Sequence, residues 1–124
     1  MVMRAERDEY REDRIVMRAV VDAYGSEERA AGWYYYLENE LSFPFQARCF
    51  RRKATSPLKE EEFYEVVGLA DADDCDHEMY VMTDFGEDQL AVPLSQLEPV
   101  GEVDDETREA VLDWHYWVQQ EYRF

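Results

Sequence analysis

Three features of the 124-residue sequence predict an α+β fold. Two segments of helical period come first, short alternating segments follow between about residues 45 and 97, and a further segment of helical period closes the chain. The expected architecture is two N-terminal helices, a small antiparallel β-barrel or sheet of four to five strands, and a C-terminal helix. If the sheet closes it would be SH3-like. The whole of residues 1–124 is expected to form a single domain, with residues 1–14 a solvated or partly frayed helix.

The first helix is expected over residues 4–23. Its first half mixes Arg, Asp and Glu and reads as solvated, and Val16, Val20 and Ala23 then give one apolar stripe. Gly25 suits a left-handed residue after the helix end. Ser26 reads as the N-cap of a second helix, with Glu27 and Glu28 in its first turn. Ala30, Trp33, Tyr34, Leu37 and Leu41 form its inward face, and Pro44 forbids continuation. Residues 46–52 can form a strand, and Ser56-Pro57 marks a turn. Phe63, Glu65, Val67 and Leu69 alternate with Tyr64, Val66 and Gly68 in a second strand. Met79, Val81, Thr83 and Phe85 give a third, Gly86-Glu87-Asp88 a hairpin loop, and Leu90, Val92 and Leu94 a fourth. Asp104 or Asp105 can cap the last helix, whose inward face is Thr107, Ala110, Val111, Trp114, Trp117 and Val118.

Composition narrows the function. Apolar residues make up 46% and aromatics 15%, so the chain has the means to bury a core. The net charge is −17, from 30 acids against 13 bases. That balance argues against nucleic-acid partners, which need clustered Lys and Arg, and against anionic membranes. Cations and basic proteins stay open as partners; no protein partner is identified. Lys53 and Lys59 are the only lysines, and part of the acidity is what salt adaptation produces. Two cysteines, Cys49 and Cys75, make no C-x-x-C pair or disulfide framework. With no signal-peptide apolar region and no apolar run of spanning length, a cytoplasmic location is expected.

The most concentrated charge is Asp71-Ala72-Asp73-Asp74-Cys75-Asp76-His77-Glu78. Two like charges about 4 Å apart repel by about 1 kcal/mol in water and more near a protein surface. A fold tolerates such a run when it is fully solvated or when a cation sits among the oxygens. Calcium takes six to eight hard oxygen ligands, which suits carboxylates and carbonyls. An EF-hand loop is excluded. With Asp74 as its first position, the sixth is Met79 rather than Gly and the twelfth is Phe85 rather than Glu. Any calcium site therefore needs ligands from elsewhere, and Glu38-Asn39-Glu40 is the nearest candidate. Spacing alone favours a solvated acidic loop over a metal site.

Other constellations have simpler explanations. Cys75, His77, Cys49 and His115 lack standard zinc spacing. His115 has no nucleophile motif beside it and reads as a helix histidine near the core. The tyrosines 34–36 read as core and core-rim packing. Arg48, Arg51, Arg52 and Lys53 are expected to pair with surplus acids. No enzymatic constellation emerges, and the chain reads as a non-enzyme.

Several segments together resemble the cyanobacterial calcium-binding family CcbP. They are Val21-Asp22-Ala23-Tyr24, Glu28-Arg29-Ala30, Gly32-Trp33-Tyr34-Tyr35-Tyr36-Leu37-Glu38, and Phe43-Pro44-Phe45 with Ala47 and Cys49. Ser56-Pro57-Leu58, the acidic stretch through Cys75 to Glu78-Met79, Leu90-Ala91-Val92-Pro93-Leu94-Ser95-Gln96-Leu97 and Asp113-Trp114-His115-Tyr116-Trp117 complete the set. The resemblance implies reversible, non-EF-hand binding of Ca2+ in a cytoplasmic buffer or sensor. The ligand set it implies is drawn from Glu38, Asn39, Asp71, Asp73, Asp74, Asp76 and Glu78. The alternative is an acidic interaction module or polyanion mimic with no metal site. The chain departs from the family pattern in two places. Lys59-Glu60-Glu61-Glu62 replaces a glycine-containing turn, and Asn39 stands where an acid is expected.

Overall fold

The computed structural model describes residues 8–21, 23–75 and 78–120. Helix α1 (Glu9–Arg18) begins where the Asp8 carboxylate accepts the Arg11 N–H at 3.0 Å. The expected helix over 4–23 is thus shorter at its C-terminal end, and residues 4–7 lie outside the described residues. The expected stripe is also rotated. Ile15 and Ala19 are buried, Val16 is 55% exposed, and Ala23 lies beyond the helix. Two arginines cause the rotation. Arg11 and Arg14, expected to be solvated, turn inward with Ile15 to reach an acid on the last helix.

The end of α1 rests on helix α2 (Ser26–Glu40) at Gly32. A Cβ there would lie 2.0 Å from the Ala19 carbonyl oxygen, so only glycine allows this approach. Gly25 is not left-handed. Its φ of −131° and ψ of 171° are extended, and it, rather than Ser26, is the N-cap of α2. Helix α2 buries Ala30, Trp33, Tyr36 and Leu37, and Leu41 follows just beyond it. Tyr36 enters the core where Tyr34 was expected, because its hydroxyl finds a buried acceptor there.

The sheet has five antiparallel strands in the order β4-β3-β2-β1-β5. They are β1 (Phe45–Cys49), β2 (Phe63–Leu69), β3 (Tyr80–Phe85), β4 (Asp88–Pro93) and β5 (Leu97–Pro99). The sheet is open, because no ladder joins β4 to β5. Those two edges are nonetheless linked by one short 3-10 turn, Leu94–Gln96, so the sheet must coil to bring them near each other. Phe45, Ala47 and Cys49 face inward on β1, and Tyr64 and Val66 on β2. The expected alternation of β2 breaks at a bulge between Val66 and Gly68. Gly86 and Glu87 make a two-residue hairpin turn, with Gly86 at φ +66° and Asp88 already paired to Phe85. In the turn before β2, Glu61 holds φ +70°, a conformation that glycine adopts without strain. The turn in which the resemblance implied a glycine therefore does contain a left-handed residue. Glu61 is held there by its N–H donating to the Cys49 carbonyl at 2.8 Å and by an ion pair with Arg48.

Helix α3 (Asp105–Gln119) is capped by Asp104, whose carboxylate accepts the Thr107 N–H at 2.7 Å. Its expected face is buried, with Val118 partly so. Trp33 of α2 packs edge-on against Trp114 and Trp117 of α3, at ring-centroid distances of 5.0 and 5.5 Å. Asp113, on the same helix, is fully buried and was not expected to be. It accepts from Arg11 at 2.6 Å, from Arg14 at 2.6 and 2.9 Å, and from the Tyr36 hydroxyl at 2.6 Å. The bond to Asp113 pushes the Arg14 pKa still higher. Burial, and then the bond to Asp113, raise that of Tyr36. His115 is buried as expected, with Nε2 at 3.3 Å from the Leu94 carbonyl and its ring against Phe50.

Removing the Asp113 carboxylate leaves two guanidinium groups and a phenol without their shared acceptor. Asp113→Ala is expected to destabilise the fold by about 3–5 kcal/mol, measured by urea unfolding. Burial depresses the His115 pKa below its usual 6.5. The neutral ring is therefore the form that the fold favours. Its contribution is complete above about pH 6.5 and is lost as pH falls through the lower folded value. Melting temperature should fall below pH 6.5 in the wild type and fall less steeply in His115→Gln.

Candidate metal-binding loop

The acidic run connects β2 to β3. Its base is a closed frame of hydrogen bonds. The Ala70 N–H donates to the Tyr80 carbonyl at 3.1 Å, and the Tyr80 N–H donates to the buried Cys75 sulfur at 3.4 Å. The Tyr34 hydroxyl of α2 donates to the Ala70 carbonyl at 2.8 Å. Inside this frame the chain makes a 3-10 turn, Ala72–Cys75, with the Asp74 N–H donating to the Asp71 carbonyl at 2.9 Å. Aspartate favours such turns because its short polar side chain tolerates them.

Asp71, Asp73 and Asp74 are all exposed on this frame. Among the described residues, no hydrogen bond or ion pair holds any of their carboxylates. Asp76 lies outside the described residues, as does His77. Glu38 and Asn39 are exposed near the C-terminal end of α2. Glu38 and Asp71 both bear on the Tyr34 hydroxyl. Its pKa is raised first by burial and then by Glu38, with Cys75 and Asp71 adding to it. Through its bond to the Ala70 carbonyl, Tyr34 joins the helix to the base of the loop. Asp73 lines a groove of about 500 Å³ together with Glu27, Tyr34 and Tyr35 of α2. Glu27 is thus an acid beside the loop that sequence spacing did not single out.

Glu78 differs from the other acids in the run. Its side chain is 21% exposed, and both oxygens are engaged. Oε1 accepts the Ser95 hydroxyl at 2.7 Å, and Oε2 accepts the Lys53 ammonium at 2.9 Å. Neither Lys53 nor Ser95 was legible as a partner of the loop, because they lie 25 and 17 residues away. Among the described residues, no three His, Cys, Asp or Glu side chains form a group ready to chelate an ion. Cys49, Cys75 and His115, which lack zinc spacing in the sequence, each have separate partners. The Cys49 thiol donates to the Arg51 carbonyl, Cys75 sits in the loop frame, and His115 faces Leu94.

As a donor set, the loop offers hard, anionic oxygens, with no competing cation among the described residues on Asp71, Asp73 or Asp74. That chemistry fits calcium. Acidic oxygens on an open α+β fold suit a calcium-binding protein, and the comparisons make the assignment. Residues 13–118 match the family Calci_bind_CcbP, described as calcium binding. The crystal structure of Anabaena CcbP is 44% identical, with a TM-score of 0.85 and 100% of both chains covered. A calcium binding protein in the calcium-binding form is also 44% identical, with a TM-score of 0.83, over 96% of this chain and 97% of that one. No curated protein matches. The chain belongs to the CcbP calcium-binding family.

Tyr34→Phe removes the bond that ties α2 to the loop base. It should cost about 1 kcal/mol in chemical unfolding. The raised pKa means that the fold favours the neutral phenol. Its contribution is complete below about pH 10 and lost as pH rises through the folded value. Absorbance titration should show one phenol fewer ionising above the ordinary tyrosine range in Tyr34→Phe than in the wild type.

Proposed function

We propose that this chain binds Ca2+ reversibly through oxygen donors that are discontinuous in sequence and form no EF-hand. The donors are Asp71, Asp73, Asp74 and Asp76 of the loop, with Glu38 and Asn39 at the end of α2. The observation that carries the reading is the loop itself, in which the exposed carboxylates of Asp71, Asp73 and Asp74 sit on a hydrogen-bonded frame with no cation on them among the described residues. Mutual repulsion among them is relieved when a divalent cation binds. Membership of a calcium-binding family, and 44% identity to a protein in the calcium-binding form, support the same ion.

The loop frame favours a buffer over a sensor. Its base bonds are already closed, so binding requires side-chain movement more than rearrangement of helices. The reading is of one domain over residues 1–124, acting in the cytoplasm. Among the described residues, no helix is long and apolar enough to cross a membrane.

Calcium that binds only the folded state stabilises it by RT ln(1 + [L]/Kd), about 2.7 kcal/mol at one hundred times Kd. A rise in melting temperature on the order of 4 °C per kcal/mol is expected in millimolar calcium. Magnesium or sodium at equal ionic strength should give less. Calorimetric titration of Asp73→Asn/Asp74→Asn should show weakened binding, while Glu60→Gln/Glu61→Gln should not. Equal losses in the two pairs would instead favour an acidic interaction module that works by spread charge.

A further inference from the structure

Glu78 ends the acidic run, and its composition alone would make it a ligand. The structure assigns it a different role, and this rests on the calcium reading above. We propose that Glu78 is a positioning residue, and that Lys53-Glu78-Ser95 is a strut that holds the loop's C-terminal end.

The geometry supports a strut. Both Glu78 oxygens are taken, one by a hydroxyl at 2.7 Å and one by an ammonium at 2.9 Å. Ser95 is 5% exposed and lies in the 3-10 turn between β4 and β5. That turn is fixed from two sides. The Leu94 N–H donates to the Met79 carbonyl at 2.9 Å, and the Leu94 carbonyl faces His115 at 3.3 Å. Lys53 comes from the connection between β1 and β2. Glu78 therefore ties the start of β3 to two other connections, next to the frame formed by Ala70, Cys75 and Tyr80.

The need for a strut follows from charge. Asp71, Asp73 and Asp74 repel one another while no cation is bound, and repulsion favours loop conformations that spread them apart. Anchoring residues 78 and 79 restricts that spreading, so less ordering remains to be done on binding. Lys53 also places one positive charge at the end of the run, where it lowers the repulsion without occupying Asp71, Asp73 or Asp74.

The two roles of Glu78 make opposite predictions for Lys53. If Glu78 is a latent ligand, Lys53→Met frees a carboxylate and removes a repelling charge, so calcium binds more tightly. If Glu78 is a strut, Lys53→Met weakens binding despite the lost positive charge. Calorimetric titration of the wild type, Lys53→Met, Glu78→Gln and the double variant decides between them. The strut predicts a three- to tenfold weaker Kd in each single variant and little further loss in the double. Calcium stoichiometry should be unchanged in all of them. Melting in EDTA supplies a readout without calcium, in which both single variants melt a few degrees lower and the double melts no lower than the worse single. The charge-exchanged Lys53→Glu/Glu78→Lys variant should recover affinity relative to Glu78→Lys alone. Tighter or unchanged calcium binding in Lys53→Met, or loss of a bound ion in Glu78→Gln, overturns the proposal. A wild-type chain that takes no calcium overturns the calcium reading itself, whereas the EDTA melts still test whether the two side chains act as a pair.

Discussion

The described fold depends on one buried carboxylate. Asp113 lies on α3, and its partners lie on α1 and α2. Arg11, Arg14 and Tyr36 all converge on it, and Glu109 one turn earlier adds a contact to each arginine. The Tyr116 hydroxyl extends the network by accepting the Asp8 N–H and donating to Glu12. A buried charge without partners is far costlier than this arrangement, so the three helices are required to sit together. The rotation of α1, with Ile15 turned in and Val16 left in water, follows from that requirement. So does the inward position of Tyr36. With α2 held against α3, the Trp33, Trp114 and Trp117 rings can pack, and α2 can present Tyr34 to the acidic loop.

Bases are scarce in this chain, and their placement is informative. Arg11 and Arg14 serve Asp113, Arg18 pairs with Glu40, Arg48 with Glu61 and Glu98, and Lys53 with Glu78. These pairs lie at the core, the sheet and the ends of connections. Among the described residues, none reaches Asp71, Asp73 or Asp74. A surplus of 17 negative charges could be spread evenly, and a solvated loop would look like that. Here the compensation stops at the edge of the loop, and the loop is framed by hydrogen bonds instead. Such a distribution leaves carboxylates available to an external cation.

Much of the architecture was legible because its causes are local. A 3.6-residue apolar period marks α2 and α3, a two-residue alternation marks β2 to β4, and Gly86 and Asp104 punctuate them. Errors arose where a distant partner decided the outcome. Apolar spacing puts Val16 on an inner stripe with Val20 and Ala23, and no local signal announces Asp113. Tyr34 and Tyr36 are neighbours with equal propensity, and only the position of the acceptors sorts them. Strand β2 lost its alternation at a bulge that sequence spacing does not mark.

The candidate site divides in the same way. By itself the sequence determined the composition of the loop, its mismatch to the EF-hand spacing and the resemblance to CcbP, because residue type and spacing are properties of the chain in one dimension. Only the tertiary structure decided that Tyr34 bonds the base of the loop, that Asp73 and Glu27 line one groove, and that Glu78 is held by Lys53 and Ser95. Those relations join residues tens of positions apart. Their energies arise only when folding brings the charges within a few ångströms and removes water from between them.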